Sequence, residues 1–320
     1  MIGARALWCE AAGRASLRDE AVTVAPGDVG VRMLWSGISR GTERLVAQGR
    51  VPQSEYARMR APFQQGDFPF PVKYGYAAVG VVEQGPETLL GRAVFALHPH
   101  QSFFTVPAAA VIPVPDAVPP RRAILAANME TALNAVWDGA AAPGHRIAVV
   151  GAGALGLLTA MILSRLPGAE VTLIDVLTER GDIAAQLGVK FARVKDAPGD
   201  CDLAFHSSAS AAGLATAMAT LGPDATLVEM SWHGAGETPV ALGGAFHARR
   251  LRIQSSQVGS LPPSRRPRWD HRRRLALALA LLADPRLDAL ITDEVAFGAL
   301  AERFPEILNG PGVATAVRYP

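Results

Sequence analysis

Residues 146–156 read Arg-Ile-Ala-Val-Val-Gly-Ala-Gly-Ala-Leu-Gly, and their pattern is the strongest indication of fold class in the sequence. The apolar, β-branched run before Gly151 predicts a buried strand, and the small and apolar residues from Ala154 onward predict a helix. Between them Gly151, Gly153 and Gly156 stand at the G-x-G-x-x-G spacing. The first glycine suits a tight turn, the second lets the backbone approach a pyrophosphate, and the third permits close packing of helix on strand. The stretch therefore predicts a dinucleotide-binding unit.

The next strand indicates which dinucleotide is bound. Residues 171–175 form a second predicted strand that ends in Asp175, about 20 residues past the last glycine. A carboxylate at this place accepts hydrogen bonds from the hydroxyls of an adenosine ribose and repels a 2′-phosphate, so we expect NAD(H). Arg180 lies close enough in sequence to keep NADP(H) open as an alternative. Further expected cofactor contacts are Ala154 and Leu155 at the helix start and Ser207 after the fourth strand.

Composition sets limits on the class of protein. The chain has 320 residues, enough for two domains, and its 31 Lys and Arg against 29 Asp and Glu leave a formal charge of +2. We therefore expect neither nucleic acid nor a membrane surface as a partner. Cys9 and Cys201 are the only cysteines, which excludes a disulfide framework and favours a cytoplasmic setting. No signal peptide or membrane-spanning run is evident, and the apolar block 275–282 predicts a buried helix.

Hydrophobic patterning divides the chain into two domains. Short β-type runs up to residue 118 predict an irregular β-rich domain, and residues 121–137 show helical spacing. Strands and helices then alternate, which predicts a doubly wound parallel sheet. Residues 293–319 return to strand, helix and strand and are expected to rejoin the first domain. The expected domains are therefore 1–120 with 259–320, and 121–258. The candidate strands of the parallel sheet are 146–150, 171–175, 190–194, 202–205, 225–230 and 251–256.

This layout resembles the medium-chain dehydrogenase/reductase superfamily, the relatives of zinc-type alcohol dehydrogenases, over nearly the full length. Residues 36–43 (SGISRGTE) resemble the family's G-I-C-G-T-D element, and residues 75–80 (GYAAVG) resemble its G-H-E-A-A-G element. The resemblance implies an α/β fold with a Rossmann dinucleotide-binding sheet and a GroES-like catalytic domain. It also implies a cofactor contact at Thr131 and a homodimer. Within the superfamily, residues 36–43 and Gly75-Tyr76 are most similar to the branch that contains bacteriochlorophyllide dehydrogenase, which oxidises a hydroxyethyl group on a tetrapyrrole.

The zinc ligands of that family have no counterparts in this sequence. The first ligand cysteine corresponds to Ser39 or Arg40, the ligand histidine to Tyr76, and the third ligand to Ala127. Tetrahedral zinc requires thiolate, imidazole or carboxylate donors, and none of these positions offers one. The family's separate four-cysteine structural site cannot form from two cysteines. We therefore expect a zinc-free member.

Without a metal, hydrogen-bond donors must stabilise the charge that develops on a substrate oxygen. Tyr76 is the first candidate, because its phenol can donate to that oxygen, although it could instead simply fill the space of the missing zinc site. Ser39 and Thr42 could form a hydroxyl relay or serve as turn residues. Glu130 could act as a base if it is buried, or could form a salt bridge.

The remaining motifs leave several functions open. The arginine-rich stretch 265–274 could bind carboxylates or phosphates of an anionic substrate, or form a solvated helix face. His98 and His100 flank a proline, which is more typical of a loop than of a metal site. Together the patterns predict a zinc-independent, NAD(H)-dependent oxidoreductase that acts on a small conjugated alcohol or carbonyl substrate. The alternatives are a quinone or enone reductase and a catalytically inactive dinucleotide-binding sensor.

Overall fold

The computed structural model describes residues 1–320, with every secondary-structure element defined. The strands in chain order are β1 Ile2–Ala11, β2 Arg14–Val22, β3 Asp28–Ile38, β4 Gln65–Gly66, β5 Val72–Lys73, β6 Ala78–Gln84, β7 Ala93–Ala96, β8 Phe103–Pro107, β9 Ile112–Pro113, β10 Arg146–Val150, β11 Glu170–Asp175, β12 Lys190–Arg193, β13 Cys201–His206, β14 Leu221–Glu229, β15 Arg252–Ser255, β16 Ile291–Ala296 and β17 Ala314–Arg318. The helices are α1 Arg40–Ala47, α2 Pro120–Ala123, α3 Ala126–Asp138, α4 Ala154–Leu163, α5 Arg180–Gln186, α6 Ala211–Thr220, α7 Ala245–Ala248, α8 His271–Leu281 and α9 Leu300–Asn309.

The chain forms two compact units. Unit 1 is Met1–Ala127 with Leu279–Pro320, and unit 2 is Asn128–Ala278. These bounds differ from the predicted breaks near residues 120 and 258. The second bound lies within α8, because the first turns of that helix are tied to unit 2 through an ion pair between Arg274 and Glu130.

Unit 1 is built from two sheets. The larger has the order β16-β17-β3-β6-β7-β9, with β8 also paired to β3, and the smaller has the order β2-β1-β5-β4. The C-terminal strand β17 runs antiparallel to β3, with Val317 opposite Ser36, so the end of the chain does rejoin this domain. Sequence patterning missed the long β1–β2 hairpin, whose turn contains Gly13 at a positive φ of 70°. Its strands are only partly buried, which weakens the alternation that would indicate them.

Unit 2 is the predicted doubly wound sheet. Its six strands have the order β12-β11-β10-β13-β14-β15, and every neighbouring pair is parallel. The strand order reverses between β10 and β13, which is where open α/β sheets bind ligands beyond the carboxyl ends of their strands. Asp175, His206 and Glu229 are the last residues of β11, β13 and β14 and therefore lie at that edge.

The helical predictions hold in type and differ in detail. The expected single helix over 121–137 is two helices, α2 and α3. The apolar block 275–282 coincides with α8, and Leu275, Leu279 and Leu282 are buried as expected. None of the helices has both the length and the apolar character that a membrane span needs.

Candidate functional site

The glycine turn of unit 2, defined as Gly151, Gly153 and Gly156, has the geometry that its sequence predicts. Gly151 has a φ of 108°, and a Cβ there would lie 2.8 Å from the Ser208 amide nitrogen. A Cβ on Gly156 would lie 1.8 Å from the Gly151 carbonyl oxygen, so helix and strand approach too closely for any side chain. A Cβ on Gly153 would meet nothing within 4 Å. Gly153 therefore faces open space where a ligand can approach the backbone.

The N-terminus of α4 is available to an anion. Gly153 is the N-cap residue and no side chain caps the helix, so the amides of its first turn, which begins at Ala154 and Leu155, have no side-chain acceptor. Ser207 supports the turn from the neighbouring strand, because its hydroxyl donates to the Gly151 carbonyl at 3.0 Å. Free amides at the positive end of a helix dipole suit a pyrophosphate. The residues present therefore fit a dinucleotide.

Asp175 lies beside the glycine turn with both carboxylate oxygens oriented by the backbone. Its Oδ2 accepts from the Ala152 amide at 2.5 Å, and its Oδ1 accepts from the Leu177 amide at 2.9 Å. Each oxygen keeps a further lone pair with which it can accept a ribose hydroxyl. Arg180 is buried at the first residue of α5, and Thr131 is half-buried on α3. Cofactor contacts at these two residues stay predictions.

Unit 1 brings together three predicted catalytic residues in a hydroxyl cluster, defined as Tyr76, Ser39 and Thr42. The Tyr76 hydroxyl donates to Ser39 Oγ at 2.5 Å. Burial, followed by the negative charge of Glu43, raises the pKa of Tyr76 to about 12, although hydrogen bonds with Ser39 and Thr42 partly oppose the shift. The phenol is therefore protonated at neutral pH and can act as a hydrogen-bond donor.

Behind the hydroxyl cluster lies a buried polar chain that the sequence analysis did not find, formed by Glu43, His100, Ser36 and Tyr319. Glu43 Oε1 accepts from the Ser39 amide at 2.7 Å, and Glu43 Oε2 lies 2.9 Å from His100 Nε2. His100 Nδ1 lies 2.7 Å from Ser36 Oγ, which lies 3.0 Å from the Tyr319 hydroxyl. This buried polar chain positions Ser39, because Glu43 accepts a hydrogen bond from the Ser39 amide. His100 is thus part of a hydrogen-bonded network and not merely a loop residue.

The positions that correspond to zinc ligands do not fit a zinc ion. The Arg40 guanidinium is a cation and donates to the Gly310 carbonyl, the Tyr76 phenol is protonated, and Ala127 is buried and carries no donor. None of these positions supplies a thiolate, an imidazole or a carboxylate. The nearby imidazole of His100 and carboxylate of Glu43 are hydrogen-bonded to each other.

Glu130 lies in unit 2 and is engaged in an ion pair. Its Oε1 lies 3.0 Å from Arg274 Nε, and the same guanidinium donates to Asn134 Oδ1 and to the Val258 carbonyl. Burial raises the pKa of Glu130, and the positive charge of Arg274 partly opposes the shift. This arrangement corresponds to the salt-bridge alternative. A role as catalytic base stays a prediction.

Two guanidinium groups of the arginine-rich stretch 265–274 pack against tryptophan rings. The Arg265 guanidinium lies 5.2 Å from the ring centroid of Trp137, and that of Arg273 lies 4.0 Å from the centroid of Trp269. The two indoles are themselves 4.8 Å apart. Cation–π contacts of this kind stabilise a surface locally.

No family model matches the sequence. Solved structures do match it over almost the whole chain. A zinc-binding dehydrogenase of Sinorhizobium meliloti 1021, bound to NADP, is 17% identical, with 99% of this chain and 100% of that chain covered and a TM-score of 0.78. An alcohol dehydrogenase of Escherichia coli CFT073 in complex with NADH is also 17% identical, with 99% of each chain covered and a TM-score of 0.78.

Benzyl alcohol dehydrogenase of Acinetobacter calcoaceticus is 14% identical, with 100% of each chain covered and a TM-score of 0.79. The chain has the fold of these dehydrogenases. The α/β fold class, with a parallel dinucleotide-binding sheet beside a separate β-rich domain, is therefore confirmed. At this level of identity the likeness concerns the fold, and the chemistry must be argued from the residues of this chain.

Proposed function

We propose that this protein is an NAD(H)-dependent oxidoreductase that transfers hydride to or from a conjugated alcohol or carbonyl substrate without a catalytic zinc ion. The observation that carries the proposal is the combination of a glycine turn in unit 2 whose residues fit a dinucleotide with a hydroxyl cluster in unit 1 at the positions that resemble zinc ligands. The proposal includes a small-molecule substrate and a homodimer.

The cofactor side of the proposal rests on the glycine turn and Asp175. The open backbone at Gly153 and the uncapped start of α4 would hold the pyrophosphate, and the Asp175 carboxylate would accept the ribose hydroxyls. A 2′-phosphate would lie against this negative charge, which favours NAD(H) over NADP(H). Neighbours of this fold bind either form, one NADP and one NADH. The nicotinamide, when bound, supplies or accepts the hydride.

The substrate side rests on Tyr76. Its phenol is protonated at neutral pH, and burial, which raises its pKa to about 12, keeps it protonated into the alkaline range, so it would donate a hydrogen bond to the substrate oxygen. Without substrate the phenol donates its one proton to Ser39 Oγ at 2.5 Å. With substrate bound, this proton would turn to the substrate oxygen and the Ser39 hydroxyl would donate to the phenolic oxygen instead, while Glu43 accepts from the Ser39 amide. A donor of this strength stabilises a delocalised anion better than a localised alkoxide, which favours substrates whose oxygen is conjugated.

Two alternatives share the same site. An enone or quinone reductase would use the Tyr76 donor in the same way, because reduction of an activated double bond also places charge on an oxygen. The sequence resemblance to the bacteriochlorophyllide dehydrogenase branch supports a hydroxyl beside a conjugated ring as the substrate feature. A catalytically inactive sensor would bind the dinucleotide through unit 2, and its function would not depend on Tyr76.

The Tyr76→Phe variant tests the proposal, with Tyr74→Phe as the matched control. Tyr74 is buried, and its ring contacts that of Tyr76 edge-on at 6.0 Å between centroids. We expect Tyr76→Phe to lower the turnover of a conjugated carbonyl substrate about 100-fold, the usual size of a lost proton donor, with the Kd for NADH unchanged. Tyr74→Phe should keep its turnover. Equal turnover in both variants would remove Tyr76 from the mechanism.

A further inference from the structure

Three side chains with metal-binding atoms converge at the carboxyl edge of the unit 2 sheet. His206 ends β13, Glu229 ends β14, and His233 follows in the next loop. The parallel pairing places His206 directly beside Glu229, with His206 Nδ1 2.7 Å from Glu229 Oε2. His233 Nε2 lies 3.7 Å from the same oxygen, and the three donor atoms all lie within 4.8 Å of one another.

These separations are close to those around a metal ion. Tetrahedral zinc with bonds of about 2.0–2.1 Å places its donor atoms about 3.3 Å apart. The two separations that include Glu229 Oε2, 2.7 Å and 3.7 Å, lie on either side of that value, and the two imidazole nitrogens are within 4.8 Å of each other. Side-chain rotation would have to bring all three separations to the tetrahedral value. Two imidazoles and one carboxylate form a donor set that divalent zinc accepts with a fourth position open.

The second polar atom of each of the three side chains is also hydrogen-bonded to a neighbouring group. Ser208 Oγ lies 2.7 Å from His206 Nε2, and Thr238 Oγ1 lies 2.9 Å from His233 Nδ1. Glu229 Oε1 accepts from the Ser231 amide at 2.8 Å. When each ring nitrogen that faces a hydroxyl carries the proton, the lone pairs of the other two nitrogens point toward Glu229 Oε2. Metal ligands in proteins are typically oriented by partners of this kind.

Burial and charge are compatible with a cation. The His206 side chain is fully buried, while 15% of the Glu229 side chain and 21% of the His233 side chain are exposed, so the group is open on one side only. The site therefore brings one carboxylate and two imidazoles together beside a single opening to solvent.

We propose that His206, Glu229 and His233 bind a divalent transition-metal ion, zinc foremost. The ion would fasten the loop after β14 to the sheet and would keep one coordination position for water. This site is in unit 2 and shares no residue with the hydroxyl cluster of unit 1. The proposal does not depend on the proposed oxidoreductase activity, because metal binding is measured without substrate.

The test is a titration of the full-length, chelator-treated protein with Zn²⁺, followed by calorimetry, and with Co²⁺, followed by its visible absorption. The variants are His233→Ala, whose side chain is partly exposed, and Thr238→Val, which keeps all three ligands. His247→Ala serves as the control, because His247 is an exposed histidine in α7. Circular dichroism confirms that each variant is folded.

We expect one equivalent of Zn²⁺ to bind to the wild type and to the His247→Ala control. The His233→Ala variant should bind it at least about 100-fold more weakly, and Thr238→Val about 10-fold more weakly, as is typical when an outer partner of a ligand is removed. The Co²⁺ complex should show the absorption of tetrahedral coordination in the wild type and in the His247→Ala control, and should lack it in His233→Ala. If Zn²⁺ does not bind to the wild type, or binds equally to His233→Ala, the three residues form only a hydrogen-bond network and the proposal is wrong.

Discussion

The glycine turn of unit 2 is made from residues that are close in sequence, whereas the hydroxyl cluster and buried polar chain of unit 1 are made from distant segments. Gly151 and Gly156 belong to one strand-turn-helix segment, and their function depends on the absence of a side chain. Tyr76 and Ser39 are 37 residues apart, and Ser36 and Tyr319 are 283 apart. The first kind of site is fixed by local backbone geometry. The second depends on how the whole domain folds.

Substitutions in the glycine turn should have the largest effect. In Gly156→Ala the new Cβ would lie 1.8 Å from the Gly151 carbonyl oxygen, which is backbone and cannot move aside without displacing α4. We expect the affinity for NADH, measured by fluorescence titration, to fall at least about 100-fold, or roughly 2.7 kcal/mol.

Gly153→Ala is the matched control for that variant. Its Cβ would meet no protein atom within 4 Å, so the melting temperature should stay at the wild-type value. The affinity for NADH should still fall, because the methyl group fills the space that the pyrophosphate approaches. Wild-type affinity in Gly156→Ala would contradict the assignment of this turn to the dinucleotide.

In unit 1 the free energy of unfolding should depend on pH, because folding buries His98. Burial lowers the pKa of His98 to about 3 from a usual value of 6.5, and the ring stacks on Phe104 with centroids 4.1 Å apart. The unfolded chain therefore binds a proton between pH 6.5 and about 3 that the folded chain does not. Stability is present above pH 6.5 and decreases as the pH falls through this window.

At pH 5 the loss from His98 should be about 2 kcal/mol relative to pH 7. The measurement is urea unfolding at both pH values for the wild type and for His98→Phe, which keeps an aromatic ring in the stack. The variant should lack this part of the pH dependence. The same pH dependence in both proteins would mean that His98 is not held neutral by burial.

Substitution of Asp175 should have a smaller effect, limited to the preference between NADH and NADPH. In Asp175→Ser the negative charge beside the ribose is removed while a hydroxyl remains. We expect the ratio of NADPH to NADH affinity to rise about 10-fold, because a 2′-phosphate is no longer repelled. An unchanged ratio would indicate that another residue, such as Arg180, determines the cofactor preference.

Glu43 should give the smallest effect and acts as a positioning residue. The charge of Glu43 contributes to the raised pKa of Tyr76, so Glu43→Gln should lower that pKa while Gln retains an oxygen for the Ser39 amide. The alkaline limb of the pH–rate profile should move to lower pH, with turnover at pH 7 reduced less than about 10-fold. A purely structural role would lower turnover at every pH without moving this limb.

The contrast between the two regions also explains what could be read from the sequence. Strand, turn, helix and acid between Arg146 and Asp175 are local patterns, and the structure reproduces them. The β1–β2 hairpin was missed because its strands are only partly buried. The pairing of Glu43 with His100 across 57 residues was missed because no local signal joins them. Their positions follow only from the pairing of β3 with its neighbouring strands.

Zinc-independent catalysis is tested by NADH oxidation, followed by absorbance, across ketones, aldehydes, quinones and enones with chelator-treated protein whose zinc content is measured. The His233→Ala variant is assayed in parallel, because it lacks the site proposed in unit 2. We predict turnover of at least one conjugated class in both proteins at less than stoichiometric zinc. Activity that is absent after chelation and is restored by Zn²⁺ in the His233→Ala variant would contradict zinc-independent catalysis. Tight NADH binding with no turnover of any substrate class would indicate a sensor instead of an enzyme.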